Sequence, residues 1–186
     1  MKSQFAAIVF SLLSLTLPAQ AVQVRGTTYF VSPPRLVGAS TTQNHVYAWS
    51  ATYYFTLEIP DNSGEPLQRV TIAQDDGVDR VRFNLKETEA FDGDRRSRTK
   101  LGLGEVTLDE KTKAVTVNFN PPIPAGKRVT IALAPERNPA YGGVYLFGVT
   151  AFPTGDPAYG QFLGFGRISI YDNRFDSFFF RPRFRH

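Results

Sequence analysis

Residues 52–59 read Thr-Tyr-Tyr-Phe-Thr-Leu-Glu-Ile, so Tyr53, Phe55, Leu57 and Ile59 alternate with Thr52, Tyr54, Thr56 and Glu58. A period of two puts one set of side chains on a core and the other towards water, the pattern of a half-buried strand. The same alternation recurs in Val81, Phe83 and Leu85 among Arg80, Arg82 and Asn84, in Val115, Val117 and Phe119, and in Val129, Ile131 and Leu133. Turn-forming strings separate these runs: Asp61-Asn62-Ser63-Gly64, Asp75-Asp76-Gly77, Asp92-Gly93, Pro121-Pro122 and Pro124-Ala125-Gly126. Short strands punctuated in this way predict an all-β, immunoglobulin-like antiparallel β-sandwich of about eight or nine strands, with Greek-key connections expected.

Three segments depart from clean alternation. Val144–Phe152 (VYLFGVTAF) is apolar at nearly every position, which predicts a central strand covered on both faces. Gln161–Tyr171 carries Gly164 and Gly166 among aromatics, where glycine marks a bulge or a close backbone approach. Lys86, Glu87, Glu89 and Ala90 favour helix, so one helical turn is expected within Asn84–Phe91. Neither a repeat nor a linker interrupts residues 26–171.

The two ends differ from this body. Lys2, the apolar run Phe5–Leu17 and Ala19-Gln20-Ala21 have the order of a secretory signal peptide. The run is shorter than the roughly 20 residues that a spanning helix needs. The expected organisation is therefore a signal peptide at 1–21, one sandwich domain at 22–171 and a Phe/Arg-rich tail at 172–186. Cleavage near Ala21 would deliver the protein outside the cytoplasm, to the periplasm or the medium. The chain has no Cys, so no disulfide, thiolate metal site or lipidated cysteine is open to it. Without Lys2, the 21 basic residues become 20 against 17 acidic, and the tail, with Arg174, Arg181, Arg183 and Arg185 against Asp172 and Asp176, supplies two of that excess of three. A nucleic-acid partner is not expected, because its footprint is a basic patch on a folded face. Two readings stand for the tail: a disordered terminus, or a contact segment for an anionic membrane surface. In the second, Arg181, Arg183 and Arg185 supply charge and Phe178, Phe179 and Phe180 supply anchors.

Catalytic chemistry finds little material. The only histidines are His45 and His186, and no acid or nucleophile accompanies His45 in the pattern of a triad. Nucleophile elbow, zinc-protease and phosphate-loop motifs are missing, and Gly102-Leu103-Gly104 and Gly164-Phe165-Gly166 lack the third glycine of a nucleotide cradle. No enzyme, cofactor or metal is expected. Glycoside hydrolysis needs only two carboxylates, for which Glu58, Asp75, Asp76, Asp79, Glu105 and Asp156 are candidates. The acidic strings Asp75–Asp79 and Asp92–Asp94 read as solvated turns rather than calcium loops, since calcium takes six or more oxygens.

Sixteen Phe, eight Tyr and one Trp make the composition aromatic. Tyr53, Phe55, Phe83 and Phe119 belong to the expected core. Trp49, Tyr54, Tyr141 and Tyr159 are the candidates for an exposed platform, which would suit sugar rings or a protein partner. Tyr145 follows Asn138-Pro139 and Gly142-Gly143, an expected sheet-to-sheet corner where a tyrosine hydroxyl can satisfy buried backbone.

The strings Trp49–Phe55 (WSATYYF), Gly64–Gln68 (GEPLQ), Gly77–Arg80 (GVDR), Gly143–Pro153 (GVYLFGVTAFP) and Gly160–Arg167 (GQFLGFGR) resemble a family of exported cyanobacterial proteins classified as a domain of unknown function. The resemblance covers about residues 26–171. It implies an extracytoplasmic domain of a photosynthetic bacterium, without an activity or site residues. The expected role is a non-enzymatic cell-envelope domain that binds an envelope protein or polysaccharide or acts structurally. The alternatives are a carbohydrate-binding module using exposed aromatics and, after it, a carboxylate-dependent hydrolase.

Overall fold

The structure is a computed structural model and describes residues 22–96 and 99–172. The expected leader at 1–21 and the tail residues Phe178, Phe179, Phe180, Arg181, Arg183 and Arg185 lie outside the described residues. Eleven strands follow one another: β1 (Val22–Val24), β2 (Thr27–Tyr29), β3 (Arg35–Thr41), β4 (Tyr53–Glu58), β5 (Leu67–Asp76), β6 (Phe83–Asp92), β7 (Leu103–Leu108), β8 (Val115–Ile123), β9 (Arg128–Pro135), β10 (Gly143–Pro153) and β11 (Gln161–Ile170).

β1 and β2 pair as a small hairpin, while the other strands form a five-stranded sheet, β11-β10-β5-β8-β7, and a four-stranded sheet, β3-β4-β9-β6. Every pairing between named strands is antiparallel. From β4 to β7, and again from β8 to β10, each connection crosses from one sheet to the other. The chain is thus an all-β antiparallel sandwich of the immunoglobulin-like kind, with nine strands in its two sheets.

The alternating residues supply the core. Tyr53, Phe55 and Leu57 of β4, Val115, Val117 and Phe119 of β8, and Val129, Ile131 and Leu133 of β9 are fully buried, facing Tyr145, Phe147 and Val149 of β10. Phe147 sits at the aromatic centre, its ring 5.8 Å from Tyr53, 5.6 Å from Phe55 and 6.1 Å from Phe83. Such tilted and edge-to-face pairs add to the area that each ring buries.

Both glycine expectations for β11 hold. Gly164 has φ +115° beside a register shift between Val149 and Thr150, so it marks a bulge. Gly166 is the close approach: a Cβ there would stand 2.8 Å from Ala39 Cβ and 2.9 Å from the Phe55 ring. The missing side chain lets β11 close over β3. Beyond it, the backbone of Tyr171 bonds to Asn44 and Val46 and ties the two sheets at that edge.

Two expectations are corrected. Asn84–Phe91 forms no helical turn; it lies within β6, paired with β9 from Phe83↔Pro135 to Asp92↔Val129. Sheet pairing overrides the local helix preference. The register breaks between Asn84 and Glu89, which displaces Lys86 and Glu87 to the exposed surface. There Asn84 Nδ2 donates to Glu87 Oε1 at 2.7 Å. The second correction concerns Val144–Phe152. Tyr145, Phe147, Val149 and Ala151 are buried, but Leu146, Gly148, Thr150 and Phe152 are only half-buried and Val144 is exposed. The strand covered on both faces is β9, where every residue from Val129 to Pro135 is buried. Thr130 is satisfied on its outer side by Thr56 Oγ1 at 2.9 Å and Gly93 O at 2.7 Å.

Two core tyrosines carry a pH dependence. Burial, with Tyr145 adding to it, raises the Tyr53 phenol well above its ordinary value of 10.0. Burial and the neighbouring Asp79 carboxylate raise Tyr145 likewise. The folded state therefore holds these protons more tightly than the unfolded chain. Their contribution is intact below about pH 10 and declines as pH rises above it. The melting temperature is expected to fall with increasing pH above about 10, and Tyr53→Phe should flatten that decline in thermal melts. An unchanged slope would remove Tyr53 as its source.

Candidate functional site

Three loops meet at one pole of the sandwich: residues 42–52 between β3 and β4, 77–82 between β5 and β6, and 136–142 between β9 and β10. Asn138 holds them together from a position only 1% exposed. Its Oδ1 accepts from Tyr53 Oη at 3.0 Å. Its Nδ2 donates to Gln43 O at 3.0 Å and His45 O at 2.8 Å. Its backbone N donates to Ala48 O at 2.8 Å, while Tyr47 N donates to Pro139 O at 3.1 Å. The 77–82 loop joins through Asp79, whose Oδ2 accepts from Ala140 N at 3.0 Å and whose Oδ1 accepts from Arg80 N at 2.8 Å. The expected corner is present as well, since Tyr145 Oη donates to Tyr141 O at 2.7 Å. Buried amides with every donor and acceptor engaged fix a loop in one geometry.

On this frame stand Trp49, 74% exposed, and Tyr47, 45% exposed. The Arg137 guanidinium lies 5.2 Å from the Tyr47 ring centroid and 5.4 Å from that of Trp49, a double cation–π contact. Tyr47 has φ +59°, a left-handed backbone that a bulky residue seldom adopts and that costs on the order of 1–3 kcal/mol. Beside Trp49 lies an open recess of about 220 Å³ lined with Asp79, Arg80, Arg82, Glu136 and Arg137. Val78, Tyr141 and Tyr171 are also more than half exposed around this pole. The pole therefore offers apolar rings and guanidinium groups on a rigid base, an arrangement suited to binding.

The four candidate aromatics do not converge. Trp49 and Tyr141 belong to this pole. Tyr159 lies beyond the far end of β10, stacked on Tyr29 of the β1–β2 hairpin at 4.9 Å. Tyr54 is half-buried on the outer face of β4, opposite Ser40 and Ala132. Sequence reasoning missed Tyr47, Arg137 and Asn138. The Asn138-Pro139 corner was legible, but the long-range partners of Asn138 were not.

The acidic candidates are spread out. Glu58 is paired with Arg35 at 3.3 Å and Arg128 at 3.5 Å. Asp76 Oδ1 accepts from Gly77 N, and Asp92 pairs with Lys127 at 3.0 Å. Asp75, Glu105 and Asp156 are exposed on separate elements. Among the described residues no three His, Asp or Glu side chains are placed to hold a metal ion. His45 is exposed, and its backbone bridges to Tyr171.

A family model described as "Protein of unknown function (DUF2808)" matches residues 27–170. Among solved structures, the chain is similar to a C-terminal fragment of the major pilin GBS80 of Streptococcus agalactiae, at 12% identity and TM-score 0.48, with 75% of this chain and 56% of that one covered. It is similar to the N-terminal domain of the adhesin Sgo0707 of Streptococcus gordonii, at 14% identity and TM-score 0.47, covering 77% of this chain and 34% of that one. It is also similar to the collagen-binding domain of a Staphylococcus aureus adhesin, at 9% identity and TM-score 0.39, covering 74% and 96%. The chain spans about half or less of the first two structures, and no functional assignment passes from any of the three. No curated protein matches the chain.

Proposed function

We propose that this chain, which belongs to the DUF2808 family of proteins of unknown function, is a non-enzymatic binding domain of the cell envelope that engages a protein partner through the Trp49 pole. The observation that carries this reading is the Tyr47–Arg137–Trp49 stack held in the open by the Asn138 clamp. Tyr, Trp and Arg are the residues on which binding energy concentrates at protein interfaces. Exposing both rings, with Tyr47 on a left-handed backbone, has a stability cost that the core packing does not require. Export, in a cyanobacterium, is part of the same proposal. It is supported by the leader pattern of residues 1–21 and by the resemblance of the Gly143–Pro153 and Gly160–Arg167 strings.

In-cell crosslinking followed by mass spectrometry tests it. The wild-type protein should yield a discrete partner. Trp49→Ala and Arg137→Ala should each weaken capture by tenfold or more, the scale of an interface hot spot at about 2 kcal/mol. Both side chains are exposed, so the melting temperature should stay within about 2 °C of wild type. Undiminished capture by both variants would remove the pole from the interface.

A further inference from the structure

The outer face of the five-stranded sheet carries a row that no single strand reveals. Register places Phe162 of β11 opposite Thr150 of β10, Thr150 opposite Thr71 of β5, Thr71 opposite Thr116 of β8, and Thr116 opposite Thr107 of β7. The strand neighbours of Thr150, Thr71 and Thr116, which are Val149, Ala151, Val70, Ile72, Val115 and Val117, are buried, so these three face outward, and Thr107 joins them by its pairing with Thr116. Four hydroxyls thus stand side by side across four strands, over about 15 Å at the usual strand spacing. None of the four makes a hydrogen bond to another described residue, and all are half-buried at the surface.

Next to this row the sheet is hollow. Gly148 and Ala73 face each other in the adjoining register. Phe162 and Phe165 rise at the end, half exposed, with ring centroids 5.2 Å apart at 70°. A Cβ on residue 148 would lie 3.3 Å from the Phe162 ring, so glycine keeps the foot of this aromatic wall open. The recess measures about 350 Å³.

We propose that this face binds a neutral polysaccharide lying across the strands, its sugar rings against Phe162 and Phe165 and its hydroxyls on Thr150, Thr71, Thr116 and Thr107. Charge decides between polymers. The row from Phe162 to Thr107 has no ionisable group. Asp75 stands on one side, and Arg69 on the other has its guanidinium 4.2 Å over the Phe152 ring. Asp75 is the one charged residue that lines the recess, so an anionic polymer would meet a like charge there, whereas a neutral sugar can donate to it. Arg69 keeps its charge but stands over Phe152 outside that lining. The chemistry also disfavours a protein here, because threonine is under-represented at protein hot spots. Each threonine hydroxyl both donates and accepts, as does each sugar hydroxyl. The track is separate from the Trp49 pole and does not depend on it.

The test is retention of the purified protein on phosphoric-acid-swollen cellulose and on soluble mixed-linkage β-glucan, with thermal melts alongside. Thr→Val keeps the β-branch and removes only the hydroxyl. The wild type should bind at least one glucan. The pair Thr71→Val with Thr116→Val should weaken binding about tenfold, the scale of two neutral hydrogen bonds. Phe162→Ala should weaken it at least as much, and Trp49→Ala should leave it unchanged. Failure of the wild type on both glucans overturns the proposal, as does equal binding by the threonine pair. A dimer in sedimentation that disappears with Phe162→Ala also overturns it, since a second copy would then occupy the face.

Discussion

Asn138→Ala is expected to lower stability by about 3–4 kcal/mol and the melting temperature by about 6–16 °C, at the 2–4 °C per kcal/mol typical of a domain this size. The substitution strands the Tyr53 hydroxyl and the carbonyls of Gln43 and His45, two of which lie 93 or more residues from Asn138 in the chain. A buried polar group left without its partner costs about 1–3 kcal/mol, well above the net worth of the bond itself. Tyr53→Phe removes only one of these bonds and should cost about 1 kcal/mol. The difference between the two variants isolates the loop clamp. Trp49 is the only tryptophan, so its fluorescence anisotropy reads the 42–52 loop directly. Anisotropy should fall in Asn138→Ala at temperatures where the core is still folded. Partner capture should fall with it, although Asn138 is buried and cannot touch the partner. Wild-type anisotropy in this variant would show that the loop is held by other means.

Phe147→Ala should cost about 3–5 kcal/mol, which is comparable with much of the total stability of an ordinary domain. Its ring is fully buried between the sheets and meets Tyr53 and Phe55 from the opposite sheet at 5.8 and 5.6 Å. Alanine leaves a cavity walled by other rigid rings, which cannot collapse into it without leaving their rotamers. Phe147→Leu fills most of that space and should cost less than half as much. Denaturant titration gives both values. A cost below about 1.5 kcal/mol for the alanine variant would mean that the sheets close over the gap and that the aromatic centre is not where cohesion concentrates.

The two proposed surfaces separate cleanly by mutation. One is a loop pole built on Asn138, and the other is a sheet face built on strand register. Trp49→Ala should therefore spare glucan retention, and the threonine pair should spare partner capture. Binding at both would make the domain a bridge between a polysaccharide and an envelope protein.

Strand faces were legible because alternation is a local property. Tyr53, Phe55, Leu57 and Ile59 point inward by the geometry of a pleated backbone, whatever the rest of the chain does. The turns at Gly64 and Gly126 were legible for a related reason, since both residues adopt positive φ. Local preference misled where pairing outweighed it. The helix formers Lys86 and Glu87 were displaced outward once β6 lay along β9, and the apolar outer face of β10 was left open rather than covered.

The sequence by itself therefore determined the fold class, the inward residues of most strands and the tyrosine corner. Tertiary structure alone decided which surfaces exist. It put Trp49 and Tyr47 around Arg137, sent Tyr159 to the opposite pole, and aligned Thr150, Thr71, Thr116 and Thr107 across four strands. Periodicity fixes the face on which a residue lies, but not the strand beside it or the register of the pair. Those depend on packing between segments far apart in sequence, which no local pattern encodes.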